Sequence, residues 1–138
     1  MTSKIITLAA AVMAIGLFSG SAMAAPYPAS VVGSWNVIDN QSDAILTISS
    51  QVSTGNCSAI SGTFVGGRET SNIVGFYCPA TGRFNFVRND PSNDVTVQDY
   101  SGNVSITGSH LYMGGFFAQV VNEGGVGIPG EYNFFAER

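Results

Sequence analysis

Residues 57–78 read CSAISGTFVGGRETSNIVGFYC. Two β-rich arms, 57–66 and 72–78, flank the turn pair Gly67-Arg68. If they fold back as an antiparallel hairpin centred on that pair, residues whose numbers sum to 135 face one another. Cys57 then stands opposite Cys78, and their sulfurs meet across adjacent strands at the hairpin's open end. These are the only two cysteines in the chain. A metal site is the poorer use for them, because two thiols and the single His110 fall short of the usual four zinc ligands.

The same pattern continues in both directions along the chain. Short β-rich segments cover 31–38, 44–50, 57–66, 72–78, 82–88, 95–106, 110–121 and 128–136, and no helical stripe of any length occurs. The breaks carry turn chemistry: Asp39-Asn40-Gln41-Ser42, Ser53-Thr54-Gly55-Asn56, Pro79-Ala80-Thr81-Gly82, Asn89 to Asp94, and Asn122-Glu123-Gly124-Gly125. Eight strands with short loops predict an all-β, antiparallel, up-and-down meander, which protects its edges best by closing into a barrel. Between Ser101 and Ser109 the glycines mark either a bulge in one long strand or an extra turn. Segment 110–121 is apolar on both faces: Leu111, Met113, Phe117 and Val121 on one, Tyr112, Phe116, Ala118 and Val120 on the other. A barrel strand buries one face only, so the outer face predicts a homo-oligomer contact through 110–121, the alternative being cover by a loop of the same chain.

The first 24 residues are set apart. Lys4 supplies a positive start, Ile5 to Phe18 is an apolar run, and Ala22-Met23-Ala24 places small residues at a cleavage site, which together predict a signal peptide over 1–24. The run is shorter than the roughly 18–20 apolar residues a membrane span needs. Export, to the periplasm or the exterior, makes a Cys57–Cys78 disulfide the default. The barrel domain is then 25–138, with four arginines, no lysine and nine acids. With 10% charged residues and a net charge of −4 for the whole chain, nucleic acid and anionic membranes are poor partners.

Catalytic signatures are sparse. The chain holds no Gly-x-Ser-x-Gly elbow, no His-Glu-x-x-His and no phosphate loop with a lysine. His110, at the edge of an apolar strand, reads as a packing residue. Asp90-Pro91-Ser92-Asn93-Asp94 lacks the glycine and terminal glutamate of a calcium loop and reads as a solvated turn. No catalytic residue, metal ligand or cofactor is assigned, and a non-enzymatic binding role is expected.

Gly33-Ser34-Trp35 opens the first strand, Ser42 sits at the first turn, and Ala44 to Ile48 forms the second strand. Ser61-Gly62-Thr63-Phe64 lies in the third, Thr70-Ser71-Asn72 follows it, Tyr100-Ser101-Gly102 lies in the sixth, and Glu131-Tyr132-Asn133-Phe134-Phe135 in the last. In that order and spacing, across about 105 residues, the chain resembles the avidin and streptavidin family. The resemblance implies an eight-stranded barrel that binds biotin without catalysis inside its open end. It implies that Ser42 donates to the ureido oxygen, that Asn133 accepts from a ureido nitrogen, and that Thr70, Ser71 and Arg68 meet the carboxylate. Trp35 takes the place of a barrel-closing core residue. The sequence departs from the family at several of these places. Phe64 stands where a tyrosine hydroxyl is expected, Val37 where an asparagine is, with Asn36 beside it, and Arg88 about where an aromatic wall belongs. The implied ligand is therefore biotin held weakly or a different small molecule in a remodelled cavity.

Two other classes fit the outline. Small exported inhibitors of secreted metalloproteases are similar in their Gly-x-Trp opening, single disulfide and extended N-terminal arm, for which 25–30, Ala-Pro-Tyr-Pro-Ala-Ser, is the counterpart. An exported structural or surface protein with a barrel filled by its own side chains is the third.

Overall fold

The computed structural model describes residues 27–40, 42–67, 69–120 and 128–138; the expected leader over 1–24 and Arg68 lie outside these. Eight strands form: β1 (Gly33–Asp39), β2 (Ser42–Ser53), β3 (Ser58–Gly66), β4 (Glu69–Cys78), β5 (Arg83–Asn89), β6 (Thr96–Thr107), β7 (His110–Gln119) and β8 (Gly130–Glu137). Each pairs antiparallel with its neighbour in sequence. β8 returns to β1, with Asn36 opposite Glu137 and Ile38 opposite Phe135, so the sheet closes as an up-and-down barrel. No helix of the described residues is long and apolar enough to cross a membrane.

The hairpin of β3 and β4 has the register its cysteines predict. Ser58 faces Tyr77 and Gly66 faces Glu69, and Cys57 and Cys78 are joined as a disulfide just beyond the last pair. Gly67 turns the chain in the left-handed region at φ +61°, where a side chain is strained. β4 starts at Glu69 rather than at 72. Thr70 and Ser71 look like turn formers, yet they pair with Val65 and Phe64 because so tight a turn returns the chain to the ladder at once. Between Ser101 and Ser109 neither sequence alternative holds. β6 runs without a bulge against β7 as far as Thr107 opposite His110, and the reversal falls at Gly108. Gly102 lies opposite Gly115, and a Cβ on either would strike the backbone of the facing strand. The glycines there serve close strand approach.

Alternate side chains fill the interior. Trp35, Leu46, Ile48, Phe64, Ile73, Tyr77, Phe84, Phe86, Tyr100, Val104 and Met113 are essentially inaccessible. Burial of this kind contributes about 1.5–3 kcal/mol per large side chain and is the main term holding the barrel together. Trp35 is a core residue, as its place in the first strand implied. Its Nε1 donates to the Val31 carbonyl at 3.0 Å, and the Arg138 guanidinium lies 5.0 Å from the centre of its ring.

Residues 27–32 run across the barrel end that holds the disulfide. The Tyr77 hydroxyl donates to the Pro28 carbonyl at 2.6 Å, Gln51 Nε2 donates to the Ala29 carbonyl at 3.0 Å, and the Val31 amide donates to Gln51 Oε1 at 2.9 Å. Gln51 is available for this because a bulge between Ile48 and Ser50 shifts the strand by one residue. Ile48 faces inward before the bulge, and Gln51 does so after it, opposite buried Ile60. Residues 27–30 are thus tied to the barrel and do not project as an arm; Ala25 and Pro26 lie outside the described residues.

Candidate functional site

The last residues of β1, β3, β5 and β7 and the first of β2, β4, β6 and β8 gather at the opposite end, and there the barrel opens into a cavity of about 700 Å³. Its aromatic lining is Phe64, Phe117 and Tyr132. Beneath them the buried Tyr100 ring stacks on Phe86, at 4.7 Å, and on Phe117, at 5.0 Å. Phe117 in turn stacks on Tyr132 at 5.3 Å, and Phe64 closes the opposite side 5.5 Å from Tyr100.

Above this wall lies a row of polar groups placed by register. Arg88 on β5 faces Gln98 on β6, Gln98 faces Gln119 on β7, and all three are buried. Direct cross-strand neighbours on one face are within side-chain reach, so they bond in sequence. Arg88 Nη1 donates to Gln98 Oε1 at 2.9 Å, and Gln98 Nε2 donates to Gln119 Oε1 at 2.7 Å. Arg88 Nε donates to Ser71 Oγ at 2.9 Å, its Nη2 lies 3.4 Å from Glu69 Oε2, and its Cζ lies 5.6 Å from the centre of the Phe64 ring. A buried guanidinium is tolerable only with such a set of acceptors. The Glu69 side chain is 57% exposed, so this ion pair adds little by itself and the hydrogen bonds fix the geometry.

Asp39 closes the row from the far side. Its Oδ2 accepts from the Tyr100 hydroxyl at 2.5 Å, and that hydroxyl also lies 2.9 Å from Gln98 Oε1. Asp39 Oδ1 is buried and has no hydrogen-bond partner among the described residues. Burial pushes the Asp39 carboxyl above its ordinary value, against the opposing pull of the Tyr100 hydrogen bond and the Arg88 charge.

Of the residues singled out in the sequence, Ser42, Phe64 and Arg88 line this cavity, and Ser71 lies buried behind Arg88. Asn36, Thr70 and Asn133 are exposed and alternate with inward neighbours, so their side chains are on the outside of the barrel. A one-residue offset in a strand reverses the face, and that is what separates them from the cavity. Arg68 lies outside the described residues. His110 is not packed in the core. It is exposed at the start of β7, its ring 6.4 Å from that of Tyr112 on the outer surface. Asp90 accepts from the Ser92 amide at 2.7 Å within its own exposed turn.

Asp39, Asn40, Asp43, Glu69, Gln98 and Gln119 also border the cavity, Tyr100 lies buried beneath it with its hydroxyl on Asp39, and the motifs did not select any of them for it. The signal was there: Gln98 shares the inward parity of Tyr100, and Gln119 that of Phe117. A polar side chain at a core position of a strand marks either a satisfied network or a site. No protein-family model matches the chain, and no curated protein matches it.

Proposed function

We propose that this chain is an exported, non-enzymatic, avidin-like barrel that binds a small organic molecule in its open end. The observation that carries this reading is the mouth cavity itself. Its volume of about 700 Å³ lies within the range of roughly 300–1,000 Å³ usual for small-molecule sites. It combines an aromatic wall with a few fixed polar groups, Arg88, Gln98 and Asp39, and that combination orients a ligand. The apolar start of the chain and the Cys57–Cys78 disulfide support export to the periplasm or the exterior. We also place the outer face of β7 in a contact between copies of the chain. Phe116 on β7, Val120 just beyond it, Phe135 on adjoining β8 and Ile38 on β1 beyond that are all exposed.

Biotin is the first compound to titrate, since the family resemblance implies it. With Asn36 and Asn133 on the outer surface, calorimetry is expected to show no tight binding. The cavity is tested independently of any one ligand with the neutral apolar dye Nile red, on the wild type and on Ala44→Trp, which places a large ring at the cavity wall. A saturable fluorescence rise in the wild type that is lost in the variant supports the reading. An equal rise in both, or none in either, rejects it in favour of a barrel filled by its own side chains.

A further inference from the structure

The charges at the mouth discriminate among ligands. Two acids of inward parity line the cavity, Asp39 on β1 and Glu69 on β4, and Asp43 on β2 borders its rim, against the single described guanidinium there, Arg88. Arg88 is already turned toward protein acceptors: Ser71 Oγ, Gln98 Oε1 and the Glu69 carboxylate take its hydrogens, and the Phe64 ring lies beside it. An anionic ligand reaching Arg88 would have to displace these and pass the acids at the rim. Asp39 differs, because among the described residues only one of its oxygens is engaged. A cation in the cavity that Asp39 borders favours its ionised form and offsets part of the cost of burying it. Phe64, Phe117 and Tyr132 border the same space, and aromatic rings are good neighbours for cations. With four arginines against nine acids over 25–138, the barrel domain is net anionic, which favours the approach of cations.

We infer that the cavity takes a small organic cation, an ammonium or amidinium head on an aromatic or apolar body. The head lies between Asp39 and Glu69, with Asp43 at the rim, and the body lies against Phe64, Phe117 and Tyr132. This rests on the proposed cavity binding and gives that ligand a charge opposite to the carboxylate of biotin.

Three probes with a common indole body separate the two ideas: tryptamine, which is cationic at pH 7, tryptophol, which is neutral, and indole-3-propionate, which is anionic. Calorimetric titration of the purified protein at low salt should rank them in that order. Tryptamine should lead tryptophol by about tenfold, the size of one partly screened charge contact. Both Asp39→Asn and Asp43→Asn should narrow that lead, as should 0.5 M salt, while leaving tryptophol unchanged. Tryptophol or indole-3-propionate binding as tightly as tryptamine overturns the cation preference and leaves cavity binding standing. Failure of all three to bind at millimolar concentration overturns both.

Discussion

Tyr100 on β6 reaches across the barrel to Asp39 on β1, a strand that is not its neighbour, and its hydroxyl donates to the carboxylate at 2.5 Å. This bond closes the polar row at the mouth but does not offset the burial of the charge, since the Asp39 carboxyl remains above its ordinary value. A carboxyl raised in the folded state stabilises the fold when protonated. That contribution is complete below the unfolded value, 3.8, and is lost as pH rises through the folded one. Asp39→Asn, which keeps an oxygen for Tyr100, should therefore raise the melting temperature at pH 7. The gain over wild type should shrink as pH falls toward 4. Tyr100 and Arg88 face this carboxyl, and Asp43 and Glu69 share its cavity, so the comparison is made on the single variant with those groups intact. A lower melting temperature than wild type at pH 7 refutes the argument. Lower tryptamine affinity in a more stable protein would show a carboxylate kept for binding at a cost in stability.

Arg88 is held by a fork of donors that lysine cannot reproduce. Arg88→Met deprives Ser71, Gln98 and Glu69 of their donor and should cost about 1–3 kcal/mol, chiefly from the buried polar atoms left behind. Arg88→Lys should recover less than half of this, because one ammonium cannot satisfy three acceptors spread over β4 and β6. Urea denaturation measures both. Full recovery by lysine would mean that charge alone, rather than the fork, is what the site needs.

The hairpin at 57–78 was legible because two cysteines, a turn and a register have one simple arithmetic solution. The site was legible only in part. Phe64, Ser71 and Arg88 face inward, but the motif order also selected Asn36, Thr70 and Asn133. Short motif matches do not fix parity, and parity decides which face a strand residue occupies. Asp39 looked like the first residue of a turn and is instead the last inward residue of β1. The anchoring of 27–32 was hidden for a related reason. Nothing in Ser49-Ser50-Gln51 announces the bulge that brings Gln51 round to hold Ala29 and Val31.

The disulfide ties two adjacent strands across a sequence separation of 21 residues. Constraint of a loop that size in the unfolded chain is worth about 3 kcal/mol. Replacing both cysteines by serine should lower the melting temperature by roughly 10–15 °C, since the barrel core itself is untouched. The far-ultraviolet spectrum below the transition should stay that of the native barrel. Complete loss of folding would show that the hairpin staple, rather than core burial, decides whether the barrel forms.

Tyr77 carries a pH-dependent load at the closed end. Burial, and then the neighbouring Tyr27, push its hydroxyl up to about 12. The proton it keeps is the one donated to the Pro28 carbonyl. The stability this supplies is complete below the ordinary tyrosine value of 10.0 and is lost as pH climbs from there through about 12. Tyr77→Phe should cost about 1 kcal/mol at pH 7, the worth of one hydrogen bond, and should flatten the decline in stability between pH 10 and 12. An unchanged alkaline slope in the phenylalanine variant would assign that decline to other groups.

The outer surface of β7 and β8 bears on assembly. Ile38 pairs with Phe135, Phe135 pairs with Gly114, and the Tyr112 ring lies 5.9 Å from that of Phe135, so the apolar groups are contiguous across three strands. Phe116 and Phe135 are 47% and 42% exposed, more than large aromatic groups usually leave to water on a monomer. Two copies meeting on this face would bury both, whereas a single copy leaves them in water. Light scattering of the purified wild type should give a mass at least twice that of one chain. Phe116→Glu with Phe135→Glu should give the monomer, with the melting transition still cooperative because neither side chain enters the core. A wild type that scatters as a monomer at tens of micromolar removes the contact, and with it the reason the chain needs apolar side chains on both faces of β7.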